Sequence, residues 1–378
     1  MEISVSSTKL DQRSNQPASP RLLSIDALRG FDMFWIAGGD TLATAILKNI
    51  DSPQAKMMSE QFEHVDWAGF RFYDLIFPLF MFLVGCVIPF SLEKYRAQPG
   101  AVYSRILRRT VLLFLLGLVC NGLLKFEFSS LRYAGVLQRI AICYGIGSLL
   151  YLHLGVRKLA ITFGAILLGY WALFAFVPVP GGVAGDYSKE GNLGGYVDRT
   201  VLPGRIPSQW YGFGDNEGLL STIPAVGTVL LGCFAGLWLR SSRTGWEKAG
   251  GLLGAGLLCL ITGIIWGWKF PVIKNLWTSS FVLVAGGWSL VLLSVFYTVI
   301  DVLGYRRWAW FWAVIGVNAI TIYIVPRFVD FDKMASFFLP GIARLSGNWG
   351  PAVLAAGALA AQWLFLYWLY RSKTFLRL

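Results

Sequence analysis

The chain reads as an all-α, polytopic membrane helical bundle with about ten transmembrane helices and both termini on the cytoplasmic side. Three observations predict this. Of 378 residues, 56% are hydrophobic and only 14% charged, with a mean hydropathy of +0.58, whereas a soluble domain carries roughly 25% charged residues. The apolar residues gather into runs near the length that crosses a bilayer. Lysine and arginine concentrate in alternate connecting segments, as the positive-inside bias requires.

Taken in order, residues 1–21 are polar and lack an apolar core, which predicts a disordered cytoplasmic tail. Residues 22–378 form a single transmembrane domain. Its first segment, 22–47, contains Asp26, Arg29 and Asp32; these make a poor core for a cleaved signal peptide, so the segment is read as a retained span. Further spans fall near 70–92, 107–125, 134–152, 158–178, 219–240, 250–268, 278–300, 308–326 and 350–370. The run at 334–345 is too short to cross and reads as re-entrant or interfacial. With the N-terminus inside, the short inner segments hold clusters such as Arg105, Arg108 and Arg109, then Arg157 and Lys158, then Arg306 and Arg307. The longest outer loop, 179–218, is glycine-rich and ends in GDNEG. Loops of that length are commonly lids or binding surfaces. Asp215 and Glu217 precede a helix start there, where acids favour the helix dipole, so helix capping is the structural expectation for both.

Composition also excludes function classes. The five cysteines (Cys86, Cys120, Cys143, Cys233, Cys259) lie in apolar runs with no CxxC pair and read as buried side chains. With two histidines, no Cys/His metal cluster is available. The net charge of +12 fits inner-loop bias rather than nucleic-acid binding.

The chemistry centres on FEHVDWAGFRFYDLIFPLFMFLVGCVIPFS, residues 62–91. His64 stands just outside an apolar segment, Asp74 about one turn inside it, and Pro78 four residues further on. A helical proline frees the carbonyl four residues back, here that of Asp74. Ionisable groups at such depth face a protein interior or a watery cavity. His64 is therefore the candidate reaction centre, against the plainer reading of an interfacial histidine. Elsewhere, Asp26 and Arg29 share a helix face. Arg29 also lies at the depth where a phosphate-bearing donor would enter. Asp40 follows Gly38 and Gly39. Gln138 and Arg139 fall inside the fourth span, where Arg139 needs a carboxylate such as Asp32 or Asp74, a carbonyl, or a ligand anion. Lys274, Asn275 and Trp277 open the eighth span on the outer side; a tryptophan is common at that interface for membrane reasons alone. Asn318 is a buried amide able to bridge helices.

Several stretches together resemble the heparan-alpha-glucosaminide N-acetyltransferase family, in the form of its bacterial members that lack the lumenal domain. They are RLLSIDALRGFDMFWIAGGD at 21–40, the HxxWxGxxxxDxIFPxFxFxxG pattern at 64–85, GVLQRIAICY at 135–144, DNEGLLSTIPAVGTVLLGCFAG at 215–236, KNLWTSSF at 274–281 and GVNAITIY at 316–323. The resemblance implies an inner-membrane acetyltransferase that takes acetyl-CoA, its co-substrate, from the cytoplasmic side and acetylates an amino sugar or glycan acceptor on the far side. It implies His64 and Asp74 as catalytic residues. Asp40, Lys274, Asn275, Trp277 and Glu217 are the candidates for acceptor binding. Arg29, Arg109, Gln138, Arg139 and Asn318 are the candidates for the coenzyme; no metal is implied. The bilayer is the other partner, and the aromatic outer surfaces of the spans permit a homodimer. Two departures stand out. FWIAGGD lacks the family's asparagine before the glycines, leaving Asp40 as the nearby polar residue, and the family's DPEG reads Asp215-Asn216-Glu217-Gly218. Two rival readings remain open at this point: O-acylation of a periplasmic glycan, and transport of a small sugar.

Overall fold

The protein is described from a computed structural model covering residues 22–93, 99–206 and 212–375. The expected tail at 1–21 lies outside the described residues. Among the described residues sixteen α-helices follow one another. They are α1 (Leu23–Phe34), α2 (Asp40–Leu47), α3 (Pro53–Glu60), α4 (Phe72–Leu92), α5 (Pro99–Cys120), α6 (Val136–His153), α7 (Val156–Phe176) and α8 (Leu193–Val201). They continue with α9 (Leu219–Leu239), α10 (Gly245–Gly267), α11 (Ser279–Tyr297), α12 (Ala309–Val317), α13 (Ala319–Ile324), α14 (Phe331–Phe338), α15 (Pro340–Leu345) and α16 (Gly350–Arg371). No strand occurs among the described residues, only two isolated bridges. The chain is thus an all-helical, polytopic membrane protein.

Every one of the ten segments expected to span is helical. Among the described residues seven helices are long and apolar enough to cross by themselves, and α12 with the following α13 segment, bent by 71°, has the geometry of a broken span or a re-entrant loop. The other two segments fall short for visible reasons. A π-helical turn at Trp35–Gly39, with Gly38 at φ 119°, separates α1 from α2. Helix α5 carries Arg105, Arg108 and Arg109 in its first half. The run at 334–345 lies in two short helices, α14 and α15, neither able to cross.

Helices α4, α9 and α11 form the centre, with 72%, 72% and 67% of their spans buried, whereas α7 and α10 are at 22% and face outward. Without a hydrophobic drive between helices in lipid, close packing depends on small residues at crossings. A Cβ on Gly85 would stand 1.9 Å from the Val229 carbonyl oxygen, so α4 and α9 meet backbone to backbone. Gly30 against the Trp312 carbonyl and Gly316 against that of Asp26 do the same for α1 and α12. The five cysteines are free and at least partly buried, as expected.

Candidate active site

The 61–72 connection carries His64 to the mouth of a cavity. Asp74, at the third position of α4, accepts hydrogen bonds from the backbone N–H groups of Arg71 (3.2 Å) and Val65 (3.4 Å) on Oδ2. It therefore caps its own helix with one oxygen. The other, Oδ1, lies 2.8 Å from His64 Nδ1. Asp74 is 1% exposed at its side chain and His64 52%, so a buried carboxylate holds a half-open imidazole. The ring packs on Tyr73, centroids 4.9 Å apart. Arg71 Nη1 donates to the His64 carbonyl at 3.3 Å, fixing the backbone on which the ring stands.

A second connection, between α10 and α11, brings the remaining charge. An antiparallel bridge pairs Ala68 with Ile273, and the Gly69 N–H donates to the Val272 carbonyl at 2.8 Å. This docking places Lys274 Nζ 3.1 Å from His64 Nδ1, 3.4 Å from Nε2 and 3.4 Å from Asp74 Oδ1. Burial pushes the Lys274 amine below the ordinary lysine range, opposed by Asp74. Three residues later, Trp277 takes a left-handed backbone at φ 51°, a conformation that bulky residues adopt rarely and that clusters at functional sites. The expected interfacial position of Trp277 is corrected: it is among the largest fully buried side chains. Its indole donates to Thr228 Oγ1 at 3.1 Å, and Phe77 meets it edge-on at 5.3 Å. Tertiary contacts, not the bilayer surface, hold it.

The third wall comes from the end of the long outer loop. Arg132 donates to both oxygens of Asp215 (Nε to Oδ2 at 2.7 Å, Nη2 to Oδ1 at 2.5 Å) and to Glu217. Burial works against the charged form, but Asp215 and Glu217 together hold Arg132 above its ordinary range. The capping expectation for Asp215 and Glu217 is corrected. The first N–H of α9, that of Leu219, is taken by Asp198 of α8 at 2.9 Å, and the Asp215 N–H by the same carboxylate at 3.0 Å. Burial pushes the Asp198 carboxyl up to about 6. The loop itself is pinned to the His64 connection by Trp67 Nε1 on the Tyr187 carbonyl (2.8 Å) and Lys189 on Asp66 (2.6 Å).

These walls enclose a cavity of about 700 Å³, within the size range of small-molecule sites. Of the residues singled out in sequence, His64, Asp74, Lys274, Asn275, Trp277 and Glu217 line it together. Asp40 lines a neighbouring cavity of about 590 Å³. The five coenzyme candidates line neither. Arg139 is buried over the face of Trp277 (4.8 Å) and bonds the Ser221 hydroxyl and, at 3.4 Å, the Gly218 carbonyl. Among the described residues it pairs with neither Asp32 nor Asp74. Gln138 is buried beside Gly117 and Gly135. Arg109 lies over the Tyr144 ring at 4.5 Å. Arg29 pairs with Asp26 at 3.6 Å, as its spacing requires. Asn318 sits at the break between α12 and α13, its side-chain amide without a partner among the described residues. The cavity residues that escaped the reading of the sequence include Tyr73, Arg132 and Arg327. Tyr73 adjoins Asp74 and was the nearest to being found. Nothing in the spacing ties Arg132 to Asp215, 83 residues away.

No group of three or more His, Cys, Asp or Glu able to hold a metal ion occurs among the described residues. What the site offers is an imidazole oriented by a buried carboxylate, with a lysine beside it. This is an arrangement for acyl transfer or general base work.

A family model described as heparan-alpha-glucosaminide N-acetyltransferase, catalytic, matches residues 21–191. Human heparan-alpha-glucosaminide N-acetyltransferase is 28% identical over 423 aligned positions, which cover 94% of this chain and 60% of that protein. Residues 21–191 are thus similar to the catalytic region of the heparan-alpha-glucosaminide N-acetyltransferase family. The mouse protein of the same name is 27% identical over 325 positions, covering 70% of this chain and 48% of its own length. The chain thus spans less than two thirds of the curated relatives it matches. The region matched by the family model contains His64, Tyr73, Asp74 and Arg132; Glu217 and Lys274 lie beyond it and reach the same cavity through the fold.

Proposed function

We propose that this protein is a transmembrane acetyltransferase that moves an acetyl group from acetyl-CoA to the amine of a terminal glucosamine or related amino sugar. One observation carries the reading. The His64–Asp74–Lys274 cluster stands at the wall of a cavity large enough for a sugar, and His64 and Asp74 lie inside the segment that matches the acetyltransferase family model.

With Nδ1–H donated to Asp74, the lone pair of His64 Nε2 is free for chemistry. In a relay, Nε2 attacks the thioester carbonyl carbon, the C–S bond breaks and the CoA thiolate leaves. The sugar amine then attacks the acetyl-imidazole, a C–N bond forms, the imidazole leaves, and Nε2 takes the ammonium proton. In direct transfer Nε2 takes that proton as general base while the amine attacks the thioester itself. Both routes use the same nitrogen and the same Asp74. The Lys274 ammonium supplies positive charge for the tetrahedral oxyanion. Arg109 lies eleven residues before the cavity-lining Cys120 on α5, about 16 Å along the axis, and with Arg29 it supplies cations for the CoA phosphates at the end of the bundle remote from His64. The basic clusters on that same end support an inner-membrane orientation with both termini cytoplasmic and His64 outside.

The test is acetyl transfer from labelled acetyl-CoA to glucosamine by purified protein, wild type beside His64→Ala. Loss of transfer by more than about 10³-fold with CoA binding retained is the expected outcome. Label trapped on His64 without acceptor selects the relay. Reconstituted vesicles, with CoA on one side and sugar on the other, read the sidedness. Transfer that survives His64→Ala would move the chemistry elsewhere, transfer to hydroxyls alone would favour O-acylation, and absence of CoA binding with sugar uptake would favour a transporter.

A further inference from the structure

Between α3 and α4 the chain from Gln61 to Arg71 forms no helix, and Ala68 supplies its one bridge. The place of the His64 ring therefore depends on how this connection is fastened at each end. Asp74 fastens the later part, through the N–H groups of Val65 and Arg71. Gln61 fastens the entry. Its side-chain Oε1 accepts from the Phe72 N–H at 3.2 Å, and its main-chain carbonyl accepts from the Tyr73 N–H at 3.0 Å. These are the first two N–H groups of α4, which a helix cannot satisfy from within. The start of α4 is thus capped from eleven residues upstream.

Other contacts at the entry do less to fix its register. Arg71 reaches Glu60 and Glu63 at 3.9 and 3.8 Å, but the two acids are 61% and 64% exposed, and exposed pairs of this kind contribute little. Phe62 stacks on Trp35 of the π-turn at 5.1 Å and meets Phe72 edge-on at 5.8 Å. These rings seat the entry against the first span without directional bonds to the α4 backbone. The two hydrogen bonds of Gln61 supply the direction. His64 lies three residues beyond Gln61, a reach of at most about 10 Å. Asp74 follows directly on the two residues that Gln61 holds. One glutamine therefore stands at the base of both partners in the 2.8 Å contact between His64 Nδ1 and Asp74 Oδ1.

We infer that Gln61 is a positioning residue for the reaction. It acts through the His64–Asp74 pair, by holding the entry of the connection in register with the first turn of α4. The inference rests on the proposed function in taking His64 as the reaction centre.

Two variants of the full chain in detergent test it. Gln61→Ala removes Oε1 and keeps the main-chain carbonyl, and Gln61→Glu keeps an acceptor at the same reach. Gln61 is exposed, so both are expected to fold, with thermal unfolding as the check. In acetyl transfer to glucosamine, Gln61→Ala is expected to lower kcat about five- to tenfold, the factor of a lost helix cap. KM should stay within about twofold, and Gln61→Glu should restore kcat. In an Asp74→Asn background Gln61→Ala should have no further effect, because the pair it serves is already broken. A second readout needs no turnover. The chain has two histidines, so ¹⁵N-histidine labelling, with His153→Gln for assignment, isolates the His64 signals. The wild type should show one tautomer, protonated at Nδ1; Gln61→Ala should show a mixture, and Gln61→Glu one tautomer again. An unchanged kcat or tautomer in Gln61→Ala, a loss that Gln61→Glu does not restore, or a loss undiminished in the Asp74→Asn background overturns the inference. A wild type that transfers no acetyl group, with the tautomer still mixed by Gln61→Ala, would uphold the positioning and overturn the acetyltransferase reading.

Discussion

At the residue scale the site turns on which nitrogen of His64 carries the proton. Asp74 Oδ1 at 2.8 Å from Nδ1 fixes the tautomer with Nε2 unprotonated. Asp74→Asn can present an amide N–H to Nδ1 instead, which drives the proton onto the nitrogen that must react. We expect transfer to fall by about 10²–10⁴-fold with acceptor binding little changed, measured as kcat against KM for glucosamine. Lys274 makes a second prediction through its pH dependence. Its buried amine titrates below the free lysine value of about 10.4, so its charge is present at low pH and is lost on the alkaline side earlier than for an exposed lysine. The alkaline limb of kcat/KM is expected to reflect that loss. Lys274→Arg, which stays charged, should carry the limb upward out of the measured range; a limb that does not move would remove Lys274 from the oxyanion role.

At the scale of elements, three connections rather than three helices build the site, and each is fastened separately. The α3–α4 connection is tied to the α10–α11 connection by the Ala68–Ile273 bridge. The outer loop is tied through Trp67 and through α8. Asp198 is the point at which α8 meets the start of α9, accepting the N–H groups of both Asp215 and Leu219. Its folded pKa of about 6 lies above the unfolded value near 3.9. Its contribution to stability is therefore fully present below pH 4 and is lost as the pH rises through about 6, an effect on the order of 3 kcal/mol. Thermal unfolding followed from pH 4 to 7.5 should show this fall, flattened in Asp198→Asn. The loss belongs locally to the wall carrying Arg132 and Glu217, so proteolysis within 212–218 should rise over the same pH interval.

At the scale of the whole molecule the bundle is held by helices whose backbones touch. Gly85 faces the Val229 carbonyl, and Gly232 faces that of Phe82, at 1.9 and 2.0 Å from where a Cβ would lie. No rotamer relieves a clash with backbone, so α4 and α9 must separate to admit a methyl group. Gly85→Ala is expected to destabilise the protein by about 1–3 kcal/mol, read as a lowered midpoint in detergent thermal unfolding. Because α4 carries Asp74, the same variant should also weaken transfer even though Gly85 lies three turns from the carboxylate. An unchanged midpoint would mean that α4 and α9 do not pack this closely.

The sequence by itself determined the class of fold and singled out the candidate reaction centre. Hydrophobic runs near twenty residues long specify membrane helices because a bilayer leaves backbone polar groups only intra-helical partners, and all ten predicted segments are helical. The interruptions were partly legible too, since charge in α5 and paired glycines before Asp40 mark where a plain span fails. His64 and Asp74 could be found because both lie in one short stretch, ten residues apart, where a cap and a helix start bring them together. What only the tertiary structure decided are the meetings of remote segments: Lys274 with His64, Arg132 with Asp215 and Glu217, and Arg139 with Trp277 rather than with an aspartate. Periodicity and charge bias constrain the helix faces and ends in the bilayer, but they carry no information on which connection docks against which. That choice is made by the glycine crossings and by the loop hydrogen bonds that satisfy buried backbone groups, and it is what turns separately recognisable residues into one cavity.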